Sequence, residues 1–118
     1  MKHTISILVE NHAGVLARVA GLFARRGFNI DSLAVGVTED EKISRITIIA
    51  DGTAYTLEQI EKQLNKLVEV IKVRTLEENS YIGRELMILK VSANSRTRPN
   101  IMTLCQICGA KVSDISPT

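Results

Sequence analysis

The sequence predicts an α+β fold: a β-α-β-β-α-β unit of ferredoxin-like type, followed by an incomplete second ferredoxin-like domain. Hydrophobic residues alternate at Ile5-Ile7-Val9 and again at Ile46-Ile48-Ala50. Between and after these runs they recur at helical spacing, and turn pairs such as Asp51-Gly52 separate the segments.

Ile5, Ile7 and Val9 alternate with Ser6, Leu8 and Glu10, a strand pattern. Residues 15 to 26 change to a helical period, with Val15, Val19, Leu22 and Phe23 on one face and Arg18, Arg25 and Arg26 free to meet water. Asn11 stands where an N-cap would lie, and Gly27 where the helix would end. From Asn29 to Val37 the period returns to two: Leu33, Val35 and Val37 share one face, and the small residues Ser32, Ala34 and Gly36 the other.

The charged turn Glu39-Asp40-Glu41-Lys42 leads to a third strand, and Asp51-Gly52 marks the turn after it. Leu57, Ile60, Leu64 and Leu67 form a second helical stripe opposite Glu58, Glu61, Lys62 and Lys66. A fourth strand, Val68 to Leu76, completes a four-stranded antiparallel sheet with both helices on one face. The first domain is thus expected over 1–77, a polar linker over 78–84, and a partial second domain over 85–118. There Leu86 to Val91 reads as a strand and Pro99 opens a helix whose stripe is Ile101, Leu104, Cys105 and Cys108. Gly109 suits its end, and Ala110 to Ile115 begins another strand. Half a unit buries too little surface to stand alone, so a partner is expected to order it.

The chain has 118 residues, 45% hydrophobic but only 3% aromatic, so its core must be aliphatic and disorder is not expected. Lys and Arg number 15 against 13 Asp and Glu, interspersed, which gives no steering field for nucleic acid or an anionic membrane. No run approaches the roughly 18 apolar residues of a membrane span. The start, Met1-Lys2-His3-Thr4, enters alternating sequence at once, so no signal peptide is expected, and the two cysteines are expected to stay reduced; the expected location is cytoplasmic.

The junction Asn11-His12-Ala13-Gly14-Val15-Leu16 carries the strongest hint of a site. Glycine permits close backbone approach, and the N–H groups of a first helical turn favour a carboxylate. A cap with a tight turn would explain the same residues. His12 has no evident nucleophile or orienting carboxylate and reads as a solvated loop residue. Cys105-x-x-Cys108 falls at a helix C-terminus, where the dipole disfavours a thiolate, and no second pair exists to complete a zinc site; two small core hydrophobes is the expected reading. Gly14, Gly21 and Gly27 fit neither a dinucleotide fingerprint nor a phosphate loop. With no nucleophile–base pair, metal set or phosphate loop, a binding module is expected rather than an enzyme. The same fold recognises RNA by stacking bases on aromatic residues of its central strands. Ile5, Ile7, Val9, Ile46 and Ile48 offer no such rings. Small residues on the second strand allow close approach by another element, so homodimerisation is expected there.

Together these segments resemble the small-subunit family of acetolactate synthase (acetohydroxyacid synthase). The resemblance runs through Glu10-Asn11, Gly14-Val15-Leu16, Arg18-Val19, Gly21-Leu22-Phe23 and Arg26-Gly27-Phe28-Asn29-Ile30. It continues through Ser32-Leu33, Ser44-Arg45-Ile46-Thr47, Glu58 to Leu64, and Arg84-Glu85-Leu86 at the start of the second domain. It implies an ACT regulatory domain that dimerises side by side into one continuous sheet and binds valine at the interface. Carried over, the effector contacts are Asn11, Ala13, Gly14, Val15 and Leu16 from one copy and Asn29 and Ile30 from its partner. It also implies a catalytic large subunit carrying thiamine diphosphate, magnesium and FAD in branched-chain amino acid synthesis. This chain would bind no cofactor itself but would activate that subunit and transmit valine feedback inhibition. An amino-acid-sensing ACT protein with another target is the alternative.

Overall fold

The alternating runs become four strands, β1 (Lys2–Glu10), β2 (Ile30–Val37), β3 (Ile43–Asp51) and β4 (Val70–Leu76), in a computed structural model that describes residues 1–117. The sheet order is β2-β3-β1-β4, and every neighbouring pair is antiparallel. Helix α1 (Val15–Arg25) links β1 to β2, and α2 (Ala54–Asn65) links β3 to β4. The first unit runs from Met1 to Gly83, and a second begins at Arg84.

Register explains the core. Ile5 and Ile7 of β1 stand opposite Ile48 and Ile46 of β3, so these aliphatic chains project to one face and are all fully buried. Val15, Val19, Leu22 and Phe23 of α1 and Ile60 and Leu64 of α2 close over them. Gly27, at φ 72°, takes the left-handed conformation that ends α1, which costs glycine little. Thr53 caps α2 by accepting from the Thr56 N–H at 3.2 Å.

β4 begins two residues later than the sequence predicts. Val68 lies in a turn, 86% exposed, because the Val70 N–H bonds back to the Leu67 carbonyl. Ile5, Ile7, Val9, Ile46 and Ile48, which lack the rings RNA stacking needs, lie buried beneath the helices and meet no RNA at all. The outer face of the central strands presents instead Thr4, Ser6, Leu8, Arg45, Thr47 and Ile49. Tyr81 reaches this face, its hydroxyl 3.1 Å from Thr4 Oγ1.

β2 differs from its neighbours. It pairs with β3 alone, so one edge has no strand beside it, and nearly all its residues are exposed. Its register slips between Ile30 and Ser32, leaving Asp31 as an extra, unpaired residue. That bulge reconciles two parities: Ile30, opposite Ala50, and Leu33 and Val35, opposite Ile48 and Ile46, all lie on the helix-facing side.

In the second unit, helix α3 (Arg98–Cys108) forms as expected, with Pro99 in its first turn and Gly109 at φ 69° ending it. The flanking segments do not form strands. Leu86 to Val91 and Ala110 to Ile115 have no neighbouring strand in this unit to exchange hydrogen bonds, and Leu86 is 92% exposed. The expected core stripe is corrected likewise. Without a sheet beneath it α3 buries no residue; Cys105 is half-buried and Cys108 exposed.

Candidate functional site

Helix α1 starts without a side-chain cap. Gly14 occupies the N-cap position at φ 89°, and nothing lies within 4 Å of where a Cβ would project from it. The Val15 N–H makes only a long 3.5 Å contact with the His12 carbonyl. The next two amides, of Leu16 and Ala17, meet no acceptor among the described residues. Such a terminus concentrates partial positive charge and free donors at one exposed point, suited to a carboxylate. Ala17 escaped the sequence reading because its contribution is a backbone amide, which residue type does not reveal.

Asn11 does not cap the helix. Its Nδ2 donates to the Glu41 carbonyl at 2.8 Å, and its own N–H donates to the Lys42 carbonyl at 2.8 Å. These bonds clip the loop to the β2–β3 turn, because that turn offers carbonyls within reach while the α1 amides point elsewhere. Ala13 and Gly14 are exposed. Val15 is 3% exposed, so its side chain belongs to the core and only its backbone faces the loop. Leu16, 41% exposed, is the apolar side chain this loop offers.

His12 does find a carboxylate, contrary to the expectation of a partnerless loop residue: Glu10, two residues earlier on the strand, lies 3.0 Å from its Nε2. That hydrogen bond first, then the Ala13 carbonyl, raises the imidazole pKa above its ordinary value. Because the folded value is raised, the pair contributes fully below the ordinary imidazole range and is lost as pH rises through the folded value. Both side chains are about half exposed to water, which makes it a modest tether. Beside it Arg18 bonds the Glu69 carboxylate, whose Oε2 is buried without a hydrogen-bond partner. Among the described residues no three His, Cys, Asp or Glu side chains gather as a metal site, and no helix is long and apolar enough to cross a membrane.

The remaining candidates, Asn29 and Ile30, are not with the others in one chain. Ile30 stands opposite Ala50, which pairs with His3 at the start of β1, whereas Asn11 follows the far end of β1. The loop instead adjoins the end of β2, through Asn11 on Glu41 and Lys42 and through Val37 opposite Ser44. The length of β2, about 23 Å at the usual rise per residue, separates the two groups. Asn29 lines a surface depression with Phe28, Gly52 and Thr53.

Comparison with known proteins agrees with both units. Residues 5–72 match the family described as the AHAS small subunit-like ACT domain, and residues 84–118 match the small subunit of acetolactate synthase. An acetolactate synthase small subunit of Mycobacterium avium is 53% identical over 115 residues, 98% of this chain and 69% of the relative. A probable acetolactate synthase small subunit of Archaeoglobus fulgidus is also 53% identical, over 98% of this chain and 72% of its own length. The crystal structure of the Thermotoga maritima small subunit superposes with a TM-score of 0.81 at 35% identity, covering 99% of this chain and 73% of that one. With an ACT-type sheet, a helix start open to an anion and this likeness along nearly its whole length, the chain belongs to the acetolactate synthase small-subunit family.

Proposed function

We propose that this chain is the regulatory subunit of acetolactate synthase, and that two copies joined along their β2 edges hold valine between them. The observation that carries the reading is the separation just described. A second β2 laid antiparallel along the free edge about a two-fold at Ala34, with Asp31 again unpaired, sets Ile30 of one copy opposite Val37 of the other and Leu33 opposite Val35. Asn29 and Ile30 of the partner then arrive beside Asn11 to Leu16. Two equivalent sites follow from the two-fold symmetry.

In each site the valine carboxylate lies on the free Leu16 and Ala17 amides, with Gly14 leaving room for its approach. Amide oxygens of Asn11 and the partner's Asn29 receive the ammonium, and Leu16 with the partner's Ile30 encloses the isopropyl group. The chain carries no chemistry of its own. Thiamine diphosphate, magnesium and FAD belong to the large subunit, whose activity this chain raises and whose inhibition by valine it transmits in branched-chain amino acid synthesis. For that, valine must bind the inhibited assembly more tightly than the active one.

Reconstitution tests this. Acetolactate formation by the large subunit should rise when this chain is added and fall again when valine follows, while calorimetry on the chain alone registers valine at millimolar concentration or below. An unchanged rate together with no valine heat would reject the reading.

A further inference from the structure

We infer that Asp31 is a positioning residue of the effector site: it holds the Asn29 amide with its oxygen outward, so that the site admits a ligand bearing a cation, the α-ammonium of an amino acid. The inference rests on the reading of the site proposed above.

Asp31 is the bulge residue of β2, with no partner opposite it on β3. A bulge re-aims the side chain it carries, and these features recur beside binding sites. Here the carboxylate turns along the strand start. Its Oδ1 accepts from Asn29 Nδ2 at 2.9 Å, and its Oδ2 lies 3.5 Å from the Lys2 ammonium. A carboxylate only accepts, so the nitrogen end of the Asn29 amide must face it and the oxygen end must face away. The same reasoning fixes Asn11. Its Nδ2 donates to the Glu41 carbonyl, again a group that only accepts, and so its Oδ1 is the free end.

Two asparagines, one at each component of the two-chain site, are thus tied by their nitrogens and present unpartnered oxygens. Two outward acceptors suit an ammonium and offer an anionic group at that position no donor to accept from. Asp31 does not itself meet the ligand, because both its oxygens are already engaged. It acts through Asn29, by removing the alternative flip in which the amide would present a donor and repel the cation.

A double-mutant cycle read by valine calorimetry on the full chain tests this. Asp31→Ala frees the amide and is expected to weaken valine binding roughly tenfold, the loss of one hydrogen bond to a charged group. Asn29→Ala should weaken it comparably, and Asp31→Ala in the Asn29→Ala background should add less than about twofold. Asp31→Asn, whose amide oxygen can still accept from Asn29, should stay within about threefold of the unmodified chain. Additive losses in the cycle would overturn the inference. So would an Asp31→Asn loss as large as that of Asp31→Ala, since the negative charge itself would then be the ammonium's partner. Unmodified chain that binds no valine would reject the underlying site instead, and that result is read before any variant.

Discussion

Val35→Glu is expected to leave the single chain folded while abolishing both its pairing and its response to valine. Val35 is 47% exposed on the edge strand, so a charge there costs the isolated chain little. In the proposed pair of copies the same position would be covered. Leu33, Val35 and Val37 form an apolar strip along the helix-facing side of β2, and antiparallel pairing joins two such strips. A two-fold contact introduces the glutamate twice. Each buried carboxylate without a partner costs several kcal/mol, and each about 1.4 kcal/mol weakens association tenfold, so a loss of at least about a hundredfold is expected. Sedimentation equilibrium at micromolar concentration should find the variant monomeric, with an unchanged thermal midpoint at high dilution. An intact dimer that still binds valine would place the interface elsewhere.

Phe23→Ala is the substitution expected to cost most in stability. Phe23 is 1% exposed and is the largest of the fully buried side chains, set between the sheet and the rest of α1. Truncating a buried phenylalanine typically costs about 3–5 kcal/mol through lost transfer free energy and the cavity left behind. Against the roughly 5–15 kcal/mol that holds most domains, that is a large share. Urea unfolding should show a midpoint lowered in proportion, with an unchanged slope. The site would suffer as well, because the free amides keep their direction only while α1 is seated on the sheet. A loss under about 1 kcal/mol would mean that the core is not packed around this ring.

The fold was legible because its first unit obeys period. Ile5, Ile7, Val9, Ile46 and Ile48 alternate, Val15, Val19, Leu22 and Phe23 recur at helical spacing, and each is buried as that spacing requires. What escaped were features that depend on a neighbour rather than on a period. The Asp31 bulge is visible only as a change of parity between Ile30 and Leu33, and a strand pattern begun at Asn29 passes over it. Leu86 to Val91 has the composition of a strand but no neighbour within its unit, and composition cannot supply the missing ladder. At the candidate site the loop at Asn11 to Leu16 was evident from Gly14 and the change of period. Asn11 was misread as a cap because an asparagine before a helix usually is one; here the carbonyls of Glu41 and Lys42, thirty residues away in the chain, claim it instead. Ala17 contributes through its main chain alone, and nothing about an alanine announces that.

Whether the effector is held between two chains can be tested by mixing. Asn11→Ala and Asn29→Ala variants, each expected to bind valine weakly alone, are unfolded together, refolded and titrated. Mixed dimers contain one intact site, with Asn11 from one copy and Asn29 from the other, so full-strength binding should return at roughly one site in four. Failure of the mixture to exceed the separate variants, with mixed dimers present by mass, would contradict a site shared across the β2 edges.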